Sequence, residues 1–403
     1  MKAPIAPRRS AGVSLIELMV ALVIAGLITI GITQIFVGSK VAYQVQEGLS
    51  RIQENSRFTL QYLERNVRLA GYMGCGNDIA RVPPNNPASV NYPYDTRFRN
   101  HLVKHGDVPP AQYRFQRPLE GFNANANPNN EALAAGGASD WTPQLPAKIV
   151  EAKPVKGSDV LVLRILGEES TPIVSQFTNA GSFKVADPDF VKANGVYAIE
   201  NCGATPTYGF SEIFQASSSA GGNITAVLGG ANVLQVPGSD TLTWNNGIGF
   251  SSPVGSPVNS SVHQAQYLAI FVALNDDGVP VLKVQHFENG SVTLRADELA
   301  DNVENIQLLF GRDTTVPRDD TVDDFKTADF FAGVGTAEQQ DTAWQKVISV
   351  RIGLLVRSPD SNSGTSHDAA YQVAGESVNP QNDHRVRQVY ETTVALRNRI
   401  FNS

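Results

Sequence analysis

From Leu15 to Val37 the chain is apolar except at Glu17, Gly26, Thr29, Gly31, Thr33 and Gln34. The stretch Leu18 to Val37 is about 20 residues long, roughly 30 Å as a helix, which matches the hydrocarbon core of a bilayer. The pattern then changes. Val41, Val45, Leu49, Ile52, Leu60, Leu63 and Val67 recur at steps of three or four, with Ser56 filling one gap, and Gln44, Gln46, Glu47, Arg51, Gln53, Glu54, Arg57, Glu64, Arg65 and Arg68 lie between them. That spacing predicts one continuous helix from Ser14 to Ala70, amphipathic in its second half and stopped at Gly71. Such a helix is roughly 85 Å long.

Past Gly71 the apolar period shortens to that of strands. Asp159 to Leu166, Gly195 to Asn201, Tyr267 to Leu274, Pro280 to Phe287, Ile306 to Gly311, Val347 to Val356 and Val386 to Leu396 are the strands predicted, and Asn275-Asp276-Asp277-Gly278 is a hairpin turn. Asn77 to Ala147 and Gln215 to Val262 read as loop, rich in Pro, Asn and Gly. The fold class is therefore α+β: a long N-terminal spine helix packed on a large antiparallel β-rich domain with long loops. Residues 71–403 form the globular part, divisible into a loop-rich 71–262 and a sheet-forming 263–403. No internal repeat is evident.

Lys2, Arg8 and Arg9 precede the apolar run and little positive charge follows it soon after, so the start stays cytoplasmic and the body crosses the membrane. A carboxylate at membrane depth costs about 2.5 to 3.5 kcal/mol on insertion scales, which makes Glu17 a functional residue in search of a partner. An ordinary secretory signal has its small-residue cleavage site after the apolar stretch; here the small residues come before it.

Gly12-Val13-Ser14-Leu15-Ile16-Glu17 resembles the cleavage and methylation signature of type IV prepilins. The resemblance implies that residues 1–12 are a leader cut after Gly12 by a membrane prepilin peptidase and that Val13 becomes the methylated amino terminus. It also divides the spine into a transmembrane half, 13–37, and an amphipathic half, 38–70. A free amine has a reference pKa near 7.7 to 8.0 and is largely cationic at neutral pH, so the Val13 amine of one subunit can neutralise Glu17 of its neighbour. The sequence departs from most relatives in having Val13 where phenylalanine is usual, and in lacking a proline within the apolar helix.

Further stretches are similar to the PilW family of minor pilins: Arg68 to Cys75, Asp301 to Gln307, Arg351 to Ser358 and Glu391 to Arg399. What that implies is a low-abundance, noncatalytic subunit that joins other minor pilins and the major pilin and primes assembly at the pilus tip. Implied with it are an inner-membrane location, a periplasmic then surface-exposed head, a tip-associated adhesin as a further partner, and roles in adhesion and twitching motility. Two rivals share features with it. A type II secretion minor pseudopilin has the same leader, spine and large domain, and a membrane-tethered periplasmic enzyme needs only the anchor.

A net charge of −7 argues against nonspecific nucleic-acid binding. Cys75 and Cys202 are the only cysteines, and an oxidising compartment favours joining them; two buried thiols are the alternative. No cofactor is called for. The acidic segment with Asp319, Asp320, Asp323 and Asp324 offers oxygen ligands of the kind calcium takes, but not in EF-hand order, and a solvated acidic loop is the preferred reading. Arg385, Arg387, Arg397 and Arg399 are expected to cover a sheet face or pair with those acids. Catalytic signals are weak. His101 and His105 stand four apart without an intervening glutamate, Gly209-Phe210-Ser211-Glu212-Ile213 lacks the second glycine of a nucleophile elbow, and Gly247-Ile248-Gly249 opens no helix.

Overall fold

The computed structural model describes residues 14–74, 76–77, 98–102, 110–175, 182–201, 210–226, 231–232, 260–288, 292–359, 361 and 369–400. Helix α1 (Leu15–Leu69) runs unbroken for 55 residues. Its first half is exposed: Leu15, Ile35 and Phe36 are 77 %, 72 % and 69 % exposed. Its second half buries one face, made by Gly48, Ile52, Ser56, Thr59, Leu63 and Val67. The helix ends where Gly71 takes a φ of +85°, the left-handed conformation in which a residue without Cβ is unstrained.

The strands β1 (Leu119–Ala124), β2 (Val160–Pro172), β3 (Val196–Asn201), β4 (Phe210–Gln215), β5 (Ser260–Leu274), β6 (Pro280–Phe287) and β7 (Leu294–Asp301) form one sheet with the short edge strands Phe98–Asn100 and Trp141–Thr142. β5 is its axis. Along one edge it pairs with β2; along the other, its first residues pair with β3 and its last seven with β6. The 71–262 and 263–403 segments thus share a single sheet, and residue 263 falls inside β5. Alternation decides the faces. Leu161, Leu163 and Ile165 of β2 and Leu268, Ile270 and Val272 of β5 enter the core that includes α1. Val160, Val162, Tyr267, Ala269, Phe271 and Ala273 pack on the opposite face with Phe122 and Trp141.

The second sheet is antiparallel in the order Asp324–Lys326, β8 (Val303–Arg312), β9 (Val347–Arg357), β10 (Arg387–Ala395). Its apolar face meets the first sheet in the shared core, and two helices, α2 (Ala328–Ala332) and α3 (Ala337–Gln345), close the edge. Phe310, Phe331 and Trp344 interlock there, with Phe331 stacked on Trp344 at 4.0 Å. Gly121 permits the approach: a Cβ at this position would come within 2.4 Å of the Phe310 ring.

A polar zipper also joins the sheets. Asp159 accepts the Ala124 amide of the first sheet at 2.8 Å and the Leu308 amide of the second at 2.9 Å, while Ser158 accepts the Ile306 amide at 3.0 Å. Nearby, Arg164 is wholly buried. Glu120 holds it at 2.8 Å and also takes Arg114 and Arg117, each at 2.8 Å, and Arg117 reaches Asp341 on α3 at 2.6 Å. Burial alone would raise the Glu120 carboxyl, but the Arg114, Arg117 and Arg164 guanidiniums hold it well below the usual carboxylate range.

Candidate functional site

Three features define the candidate site: the exposed half of α1, the turn that begins it, and the seat that fixes its other half to the sheets. Ser14 precedes the helix with extended backbone and no side-chain cap bond, and Glu17 lies in the first turn, exposed. The first-turn position puts a carboxylate beside the positive end of the helix dipole. Gly12 and Val13, the expected cleavage and methylation residues, lie outside the described residues, as do Cys75 and Cys202.

Small polar residues shape the seat. Ser56 and Thr59 are buried, and each hydroxyl donates to the carbonyl one turn back, to Ile52 at 2.6 Å and to Asn55 at 2.7 Å. They cost no unpaired hydrogen bond and bring the helix axis close to the sheet. At Gly48 an added Cβ would stand 3.1 Å from the Cβ of Ser358. Ile52, Leu63 and Val67 fill the remaining space, each stabilising the seat by about 1.5 to 3 kcal/mol. Val41, Val45, Leu49 and Leu60, expected on the packed face, are only half-buried, because the small residues set the line of closest approach.

Polar clasps flank this line. Glu64 accepts from the Thr392 hydroxyl at 2.8 Å, Asn55 donates to the Asp301 carbonyl at 3.2 Å, and Asn398 donates to the Arg68 carbonyl at 3.4 Å. Beneath them Glu304 binds Arg387 through two contacts, 2.6 and 3.0 Å. Arg385 and Arg387 pair with Asp383 and Glu304 rather than with the acidic loop, and Arg399 donates to the carbonyls of Trp344 and Val347, both at 2.8 Å. The reason is register: β10 runs beside β9, away from the Asp324–Lys326 edge. The segments around 301–307, 351–358 and 391–399, scattered in sequence, therefore meet at the seat.

The acidic loop turns its carboxylates on itself. Asp319 accepts the Thr321 amide and hydroxyl, Asp320 donates its amide to Asp313 at 3.0 Å, Asp323 accepts from Thr314, and Asp324 pairs with Arg312 at 2.6 Å. Those partners, Thr314 for Asp323 and Arg312 for Asp324, lower both carboxyls. Among the described residues no group of three or more metal-ligating side chains is assembled. His101 is buried against Glu212 at 2.8 Å, and His105 lies outside the described residues. The Ser211 hydroxyl donates to the Met73 carbonyl, which occupies it structurally.

An exposed apolar helix seated on a β-rich head is the arrangement expected of a prepilin-type subunit. Residues 7–33 match the prokaryotic N-terminal methylation motif, and residues 269–398 match the family Type IV Pilus-assembly protein W. By both matches the chain is similar to type IV pilus minor pilins of the PilW family. The family match spans β6 to β10 and the end of β5 from Ala269 on, the part of the head that carries the seat. No curated protein and no solved structure matches the chain.

Proposed function

We propose that this minor pilin is inserted in the inner membrane with its head in the periplasm, is cut after Gly12 and methylated on Val13, and enters a minor-pilin complex that primes assembly at the tip. One observation carries the mechanism: α1 exposes its entire apolar half and presents Glu17 in its first turn, while its other half is locked to the head. The exposed half is long and apolar enough to cross a bilayer. When the subunit leaves the membrane for a filament, that surface must find other spines, and burial of apolar area drives the exchange. The Glu17 carboxylate then draws the Val13 amine of a neighbouring subunit into register, because an unpaired charge in that environment is costly.

The partners proposed are the prepilin peptidase during maturation, then other minor pilins and the major pilin, with an adhesin at the tip. The PilW-family match supports the pilus over a type II secretion pseudopilus. A family of structural subunits gives no support to a tethered enzyme.

Replacing Glu17 by alanine is expected to leave insertion and cleavage intact, read as a mature terminus at Val13 by peptide mass, and to remove the subunit from sheared pilus fractions. Normal incorporation of Glu17→Ala would refute the pairing. An intact Met1 terminus in cells with active peptidase would refute the maturation step itself.

A further inference from the structure

A groove of about 370 Å³ lies between the end of α1 and the middle of the large sheet, lined in part by Tyr62, Phe190, Gln264 and Gln266. An irregularity in the sheet creates it. His263 pairs with Ser170 and Ala265 with Leu166, so Gly167, Glu168 and Glu169 of β2 stand opposite the single residue Gln264 of β5. A bulge of this kind re-aims side chains that regular pairing would keep in register, and bulges gather beside binding sites. Here it turns Glu168 and Glu169 toward the helix. The bulge is pinned from below by the buried ring of His263, whose Nδ1–H donates to the Gly167 carbonyl at 2.9 Å and whose Nε2 lies 2.8 Å from Glu200.

The polar groups around the groove are mostly unspent. Arg65 and Glu168 pair across it at 2.9 Å. The Tyr62 hydroxyl, the Glu169 carboxylate and the carboxamides of Gln264 and Gln266 have no hydrogen-bond partner among the described residues. Burial raises the Tyr62 phenol, which keeps it a neutral donor. Two aromatic side chains, one from α1 and one beside the Tyr197 ring, supply apolar faces.

We infer that this groove binds a neutral oligosaccharide. The donor and acceptor balance selects the class. An anion would meet two carboxylates, and a cation would leave the carboxamide and phenol donors unmatched. A ligand of many hydroxyls offers each group both a donor and an acceptor, and its C–H faces suit Tyr62 and Phe190. The volume falls within the range of small-molecule sites, about 300 to 1,000 Å³. The inference is independent of the filament role proposed above, because none of these residues belongs to the exposed half of α1.

The test uses the full chain in micelles of a sugar-free detergent, with saturation-transfer NMR against maltotriose, cellotriose and triacetylchitotriose. Transfer to the ring protons of at least one trisaccharide is expected, weakened about tenfold by Glu169→Ala and by Gln266→Ala, since each removes a hydrogen-bonding group. Both side chains are at least partly exposed, and an unchanged circular dichroism spectrum confirms that each variant is folded. Absence of transfer from the folded wild-type chain to any of the three sugars, or transfer unaffected by either variant, overturns the inference.

Discussion

At the scale of single residues, two buried titratable groups shift in the same direction: Asp159, which joins the two sheets, and His263, which pins the bulge within the first. Burial pushes the Asp159 carboxyl up to about 7, against the two amide bonds that favour its charge. Burial opposes the His263 charge, but the bonds to Glu200 and to the Gly167 carbonyl outweigh it and raise the ring above its ordinary 6.5. From the ordinary aspartate range up to about 7, the folded chain keeps a proton at Asp159 that the unfolded chain has released, so stability falls as pH rises through that window. The His263 contribution is whole below 6.5 and is lost as pH climbs through its raised value. Glu120, Asp323 and Asp324 are lowered, and their contributions fade only in acid, below the ordinary carboxylate range. The protein is therefore expected to melt at a lower temperature at about pH 8 than at about pH 5.5. Asp159→Asn removes one titrating group, so it should flatten this slope while lowering stability at both values through the loss of one amide acceptor. A slope as steep in Asp159→Asn as in wild type, measured by thermal unfolding in micelles, would show that the pH dependence arises elsewhere.

At the scale of elements, the spine is a rigid lever only while its second half stays seated. Leu63 is fully buried in the core shared by both sheets, so Leu63→Ala should destabilise the head by about 2 to 5 kcal/mol, from lost transfer energy and the cavity left behind. Urea unfolding followed by tryptophan fluorescence would measure it. Phe58 is 53 % exposed on the opposite side of the helix, and Phe58→Ala should change stability little; equal losses at the two positions would contradict the seat. The long helix was legible because its period is sustained over many turns and its stop glycine is explicit. Seven strands were legible for a similar reason: each alternates or runs apolar against one core. β1 and β4 were not, since Glu120, Ser211 and Glu212 point inward to buried partners and break the apolar pattern. β7 is partly exposed on both faces as an edge strand, so no alternation marks it. The candidate assembly surface was readable as a face of residues. The seat was not, because it depends on which of Gly48, Ser56 and Thr59 approach the sheet, and on Glu304 finding Arg387 across two strands.

At the scale of the whole molecule, the spine is seated on one core while the outer part of the head is built on β3, β4 and the start of β5. The Ile173, Phe183, Tyr197 and Phe214 core there is separate from the one that holds α1. The chain leaves α1 directly against this region. Tyr72 packs edge-on to His263 with ring centroids 6.4 Å apart, and a Cβ at Gly74 would stand 2.8 Å from the Cβ of Glu200. Cys75 follows Gly74, and Cys202 follows Asn201 at the end of β3. Those contacts support the proposed disulfide, which would tie the exit of the lever to the outer core and close a loop of about 128 residues, contributing up to about 5 kcal/mol in the chain-entropy model. Protein purified from the oxidising compartment should then carry no alkylatable thiol until it is both unfolded and reduced, and reduction should lower the urea midpoint. Cys75→Ser and Cys202→Ser should each expose one thiol and lower the midpoint by the same amount, because either change removes the same bond. Two thiols alkylated in the unreduced, unfolded chain would mean that hydrogen bonds and packing alone join the lever to the outer core, and the His263 and Glu200 contacts would then be the link to break.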